Sequence, residues 1–175
     1  KLRENVKFSD GQSMDIDDVI FSIYLLCDNS YDGPFSFNQL PISGLDDYKN
    51  NISQNISGIQ KIDDYNLEIH FEKFNISYYS KMSIPIAPMH YYGSEDLYDY
   101  QNNSFGFIKG DLFQIKSKNS KPLGAGPYAF DKYENGVVYF CRNEHYFKKN
   151  PNIPFIEFRE TKYSDIIKEF SQGNI

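Results

Sequence analysis

Hydrophobic and polar positions change period along this chain, and each change marks an element. Ile16, Val19, Ile20, Ile23, Leu26 and Cys27 recur at helical spacing, the apolar stripe of an amphipathic helix that lies on a sheet. Asp15 stands where an N-cap is needed, and Asp17 and Asp18 put negative charge in the first turn, where the helix dipole favours it. Ahead of this helix, Leu2 to Phe8 read as a strand and Ser9-Asp10-Gly11 as a tight turn. Farther on, Leu67, Ile69 and Phe71 alternate with Glu68, His70 and Glu72, which predicts a strand buried on one face and wet on the other. Ile56, Ile59 and Ile62 mark its partner strand, and Asp63-Asp64-Tyr65-Asn66 the turn between them.

Between these elements the pattern breaks. Gly33-Pro34, Pro41 and Gly44 interrupt residues 28–44, yet this loop carries Tyr31, Phe35 and Phe37. Two roles fit such aromatics: a lid packed on the first helix, or a surface that faces a ligand. Asp46 to Asn51 and Ile76 to Met82 fit short helices, the second ended by Ile84-Pro85-Ile86-Ala87-Pro88. Residues 94–120 are polar and without clear period; their Lys116-Ser117-Lys118 run reads as a solvated face. Next comes Pro122-Leu123-Gly124-Ala125-Gly126-Pro127-Tyr128, where two glycines around a small residue suit tight curvature or close backbone contact at Gly126. It is no phosphate loop, because a strand follows it and not a helix opened by Gly-Lys-Ser/Thr. Tyr128 to Tyr133, a turn at Asn135-Gly136 and Val137 to Cys141 predict a second hairpin. A polar loop over 143–152, a third strand over 153–160 and a last helix capped by Ser164 and stopped by Gly173 complete the chain. The fold class expected is α+β, mixed, with largely antiparallel sheets, hairpins near 56–72 and 126–142, and flanking helices.

Composition removes several classes of function. Forty per cent hydrophobic and 24% charged residues mark a globular chain, and 175 residues suffice for a real core. A net charge of -6 argues against a nucleic-acid partner. No run of 18 apolar residues is present to span a membrane. Cys27 and Cys141 show no metal-type spacing and read as buried free thiols. His70, His90 and His145 share no ligand spacing, so no metal site and no cofactor is expected. Asp15, Asp17, Asp18, Asp63 and Asp64 are available as paired carboxylates, but each has a plainer role as cap or turn residue. Neither a Ser-His-Asp arrangement nor an HExxH motif is visible, so no enzyme is expected. Fifteen Tyr and 15 Phe with no Trp suit a ligand-binding surface, and equally a genome biased towards Tyr, Asn, Lys and Ile codons.

The order of motifs adds a resemblance. Leu2 to Gly11, Asp17 to Phe21, Gly58 to Leu67, Pro88-Met89-His90, Gly124 to Tyr128, Arg142-Asn143-Glu144-His145-Tyr146-Phe147 and Gly173-Asn174-Ile175 follow one another in a way that resembles the family-5 extracellular solute-binding proteins. These are the peptide and nickel receptors of ABC importers. Met89 stands where the family commonly has a basic residue, Ala125 for Thr and Phe147 for Trp, which blurs the subfamily and hence the ligand. The resemblance implies a two-lobed, class II periplasmic-binding-protein fold. Residues 1–120 would be the outer subdomain of lobe I and 121–175 the start of the return into its main part, with the second lobe and the early N-terminal segment absent. It implies capture of oligopeptides or dipeptides, delivery to ABC permease subunits, a monomer, and an extracytoplasmic location as a lipoprotein or periplasmic protein. The alternatives are a nickel-type receptor and a stand-alone carbohydrate- or peptide-binding module. The resemblance further implies that the loop after the first helix approaches the solute, through Tyr31 and Phe35.

Overall fold

The computed structural model describes residues 1–35, 37–73 and 75–173, and its organising element is α1 (Ile16–Cys27). The Asp15 side chain accepts the Asp17 N–H at 2.9 Å, while the Asp18 side chain accepts the Asp15 N–H at 3.2 Å. This reciprocal box satisfies donors that the first turn leaves over. The expected stripe is buried, with Val19 half-buried, but Phe21, Ser22 and Tyr24 are buried too. The helix is therefore wrapped, not laid on a sheet. Tyr24, Phe37, Leu40, Ile42, Leu45, Tyr48, Ile56, Ile59 and Phe105 share one core with it, and Phe21 joins Leu112 and Ile115 in a second. Tyr24 stacks on Phe105 with ring centroids 3.5 Å apart, and its hydroxyl accepts the Ile56 N–H at 2.9 Å.

The short α2 (Leu45–Lys49) leads to an antiparallel hairpin, β1 (Ile59–Asp63) and β2 (Asn66–Ile69), with Ile59 opposite Ile69 and Lys61 opposite Leu67. Alternation of period two cannot put Ile59 and Ile62 on one face. Ile62 accordingly points out, 55% exposed, and Lys61 takes the inward place. Its ammonium lies 2.7 Å from Asp17, which also accepts the Tyr98 hydroxyl at 2.5 Å. Asp17 thus ties the hairpin to α1 as well as complementing the dipole. His70 sits on the wet face beside Glu68, as the alternation predicts.

Single helical turns α3 (Tyr78–Lys81) and α4 (Met89–Tyr92), a two-residue ladder β3 (Tyr98–Asp99) with β4 (Ser104–Phe105), and α5 (Phe113–Ser117) follow. A three-stranded antiparallel sheet then runs in the order β5 (Tyr128–Glu134), β6 (Val137–Arg142), β7 (Phe155–Arg159), before α6 (Ile166–Ser171). Asn135 and Gly136 make the expected tight turn with φ of 52° and 79°. The sheet is joined to the opening segment where Leu123 and Ala125 pack on Val6, Phe8 and Met14, and the Ser9 N–H donates to the Gly124 carbonyl at 2.9 Å. No helix among the described residues is long and apolar enough to cross a membrane.

Several expectations are corrected. The opening strand reduces to a single bridge between Lys7 and Ser13, because the chain turns back at once to start α1. Gly126 keeps a negative φ, and a Cβ there would meet only the Tyr128 carbonyl at 3.9 Å, so neither curvature nor close approach requires glycine. Ser164 does not cap α6; Asp165 precedes that helix without a capping side chain, and the Ser164 hydroxyl bonds the Asp165 carboxylate instead. The lysine run is solvated at Lys116 and Ser117 and half-buried at Lys118, and its ammonium groups are engaged: that of Lys116 donates to the Ser30 carbonyl and that of Lys118 to the Tyr91 carbonyl. Cys27 is buried, Cys141 only partly, and both are free thiols. Asn174 and Ile175, the end of the last motif, lie outside the described residues.

Candidate functional site

The C-terminal half of α1 forms one wall of a recess of about 260 Å³. Leu25 and Leu26 come from α1, Tyr31 to Phe35 from the loop after it, Pro85 and Ala87 from the proline-broken segment, and Leu112, Ile115 and Lys116 from the region of α5. The Phe35 N–H donates to the Tyr31 hydroxyl at 3.3 Å, so the loop closes on its own aromatic ring. Tyr31 is half-buried against Leu112 and Ile115, and Phe35 is 41% exposed. Phe37, the third aromatic of the loop, is a core residue at 2% exposure and takes no part. The two readings of the loop thus divide among its members: Phe37 packs as core, while Tyr31 and Phe35 line a concavity.

Polar contacts hold the walls in place. The Ala87 N–H donates to the Ser22 hydroxyl at 2.8 Å, and the Met89 N–H donates to Asp18 at 2.8 Å. Together these pin residues 87–89 along α1. Burial pushes the Asp18 carboxyl up to about 6, against the two N–H donors that favour its charge. Asp28 lies at the C-terminal end of α1, the wrong end of the dipole for an anion, and is buried. Three donors offset that cost: the Ser30 N–H at 2.8 Å, the Ser30 hydroxyl at 2.5 Å and the Gly110 N–H at 2.8 Å. The loop is therefore anchored from beneath at Ser30. At the rim, Lys116 lies 3.0 Å from Asp32.

The structure brings both predicted site residues, Tyr31 and Phe35, to one recess. It adds Leu112, Ile115 and Lys116, which fell in a stretch without clear period. Leu112 and Ile115 are three apart, with Phe113 between them 72% exposed; that spacing was the signal of a one-turn helix with an inward edge. The histidines are dispersed. His70 is beside Glu68, His90 is 2.7 Å from Asp10, and His145 lies against Gly11. Among the described residues no group of three or more His, Cys, Asp or Glu is placed to hold a metal ion. The recess offers an apolar floor, two aromatic edges and an ion-paired rim, a shape that accepts an apolar side chain.

Comparison with known proteins places these features. The bacterial extracellular solute-binding proteins, family 5 Middle, match residues 1–175. The oligopeptide-binding protein AppA of Bacillus subtilis is 22% identical over 162 residues, covering 91% of this chain and 25% of that protein. Lactococcal OppA, solved with an endogenous peptide in the closed conformation, superimposes with a TM-score of 0.73 at 19% identity, over 99% of this chain and 32% of its own. NikZ from Campylobacter jejuni, in complex with Ni(L-His), gives a TM-score of 0.65 at 23% identity, over 99% and 30%. The chain thus spans a quarter of the curated relative it matches, and the solved structures share its fold.

Proposed function

The chain belongs to the bacterial extracellular solute-binding proteins of family 5, and from that premise we propose that it forms part of the receptor of an ABC importer and captures an oligopeptide outside the cytoplasm. The observation that carries the reading is the recess after α1. Its half-buried Tyr31 and exposed Phe35, on a Gly/Pro-broken loop, are costly to leave in water and suit a peptide backbone or an apolar side chain. Binding and release, not catalysis, is the role of such a surface. Residues 1–120 are the outer part of the first lobe, built round α1, and residues 121–175 begin the return into the rest of it. The separate three-stranded sheet formed by β5, β6 and β7 supports that division. A surface opposite would close over the solute and supply most of its burial. The receptor is a monomer that hands its peptide to permease subunits in the membrane, and it is held at the cell surface or in the periplasm.

Nickel cargo is the second reading, favoured by the likeness to NikZ. The separate surroundings of His70, His90 and His145 weigh against it. Native mass spectrometry of the intact receptor, followed by fragmentation of the released solute, distinguishes the two. Peptides of mixed sequence support the proposal; a nickel complex in their place overturns it.

A further inference from the structure

The aromatic loop is gripped by a residue that lies 86 positions away in sequence. The Lys116 ammonium donates to the Ser30 carbonyl at 3.0 Å and lies 3.0 Å from the Asp32 carboxylate. Its helix, α5, contributes Ile115 to the recess floor, so one element supplies both the floor and the rim. We propose that Lys116 is a positioning residue for solute capture: it latches residues 30–32 to α5 and so sets how far Tyr31 and Phe35 stand over the recess. The inference rests on the reading of that recess as part of the solute cleft.

Three features support a latch over an incidental surface pair. First, the grip is two-fold, on a backbone carbonyl and a side chain two residues apart, which fixes the path of the loop and not only one rotamer. Second, the loop is already fastened from beneath by Asp28 at Ser30. With Ser30 held on both sides, Tyr31 leaves a fixed point, and its hydroxyl carries the order on to Phe35. Third, Lys116 has no second carboxylate within ion-pair distance among the described residues, so its charge is spent on this loop. The hydrogen bond and charge of Lys116 also hold the Asp32 carboxyl below the usual carboxylate range. An exposed ion pair of this kind contributes little to global stability. Its effect should appear where loop order matters, in binding, because a solute that meets a loose loop must bear the cost of ordering it.

The test is a titration of the intact receptor with two synthetic pentapeptides, one with leucine and one with lysine at the centre of an otherwise alanine chain. Lys116→Met should raise the Kd for the better-bound peptide by about fivefold, the scale of re-ordering one loop side chain on binding, with the melting temperature unchanged. Lys116→Arg should restore it. In a Tyr31→Ala, Phe35→Ala background, Lys116→Met should have no further effect, since nothing remains to be positioned. If the aromatic truncations weaken binding and Lys116→Met does not, the latch is wrong and the recess stands. If the losses add, Lys116 touches the solute directly and does not act through the loop. If the truncations leave affinity unchanged, or neither peptide binds, the recess reading and the latch fall together. Should Lys116→Met lower the melting temperature, Asp32→Asn carries the same test on an exposed side chain.

Discussion

Gly58 joins three chain segments, and replacing it by alanine should be among the most damaging single-methyl changes in this chain. Its N–H donates to the Ser43 carbonyl at 2.8 Å, its carbonyl accepts the His70 N–H at 2.8 Å, and the Ser43 N–H donates to the His70 carbonyl at 3.0 Å. A Cβ at position 58 would lie 2.7 Å from the His70 oxygen, 2.9 Å from the Ser43 oxygen and 2.9 Å from a methyl of Ile42. Neither oxygen can withdraw by the roughly half an ångström needed without stretching one of those bonds. Overpacking costs about 1–3 kcal/mol, and one weakened buried hydrogen bond about 1 kcal/mol more. The expected loss for Gly58→Ala is therefore about 2–4 kcal/mol, read from urea denaturation followed by far-ultraviolet circular dichroism. Gly126→Ala is the control: with its nearest atom at 3.9 Å, it should change stability by less than about 0.5 kcal/mol. Equal effects of the two substitutions would refute the close-approach argument.

Other outcomes follow from single contacts. Tyr24→Phe keeps the stack on Phe105 but leaves the buried Ile56 N–H without its acceptor, so stability should fall by about 1–3 kcal/mol; an unchanged urea midpoint would contradict this. Asp18 has its pKa raised to about 6 by burial, so the folded state binds a proton more tightly than the unfolded chain. That contribution is fully present below the unfolded value of 3.8 and is lost as pH rises through about 6. Wild type should thus lose about 2 kcal/mol relative to Asp18→Asn between pH 4 and pH 7; parallel stability profiles for the two proteins would sink the assignment.

What the sequence made legible depended on how local the cause was. The N-cap at Asp15 and the Asn135-Gly136 turn are set by a few adjacent residues, and both appear as expected; the return bond from Asp18 that completes a capping box is a finding of the structure. Alternation placed Leu67, Ile69 and His70 on their observed faces. Ile62 lies in β1 as expected but on the outward face that a period of two assigns it, and Lys61 can face inward because Asp17 awaits its charge. Gly126 and Ser164 have special local uses that their surroundings do not call on: Gly126 keeps a negative φ with room for a Cβ, and Ser164 does not cap α6. In the recess, Tyr31 and Phe35 could be picked out from an interrupted aromatic loop. Leu112 and Ile115 show only one three-residue spacing, a weaker signal than a full amphipathic stripe, and nothing local marks Lys116, whose contact with Ser30 spans 86 residues.

On the proposed reading, the recess after α1 meets a peptide solute. Its most direct test is calorimetric titration of the intact receptor, stripped of endogenous solute, with the peptide identified by mass spectrometry, before and after Tyr31→Ala and Phe35→Ala together. Buried aromatic contacts of this kind commonly dominate binding. The Kd should rise by about tenfold or more, with the melting temperature of the unliganded protein nearly unchanged. A lowered melting temperature with unchanged affinity would contradict it and return both residues to the core.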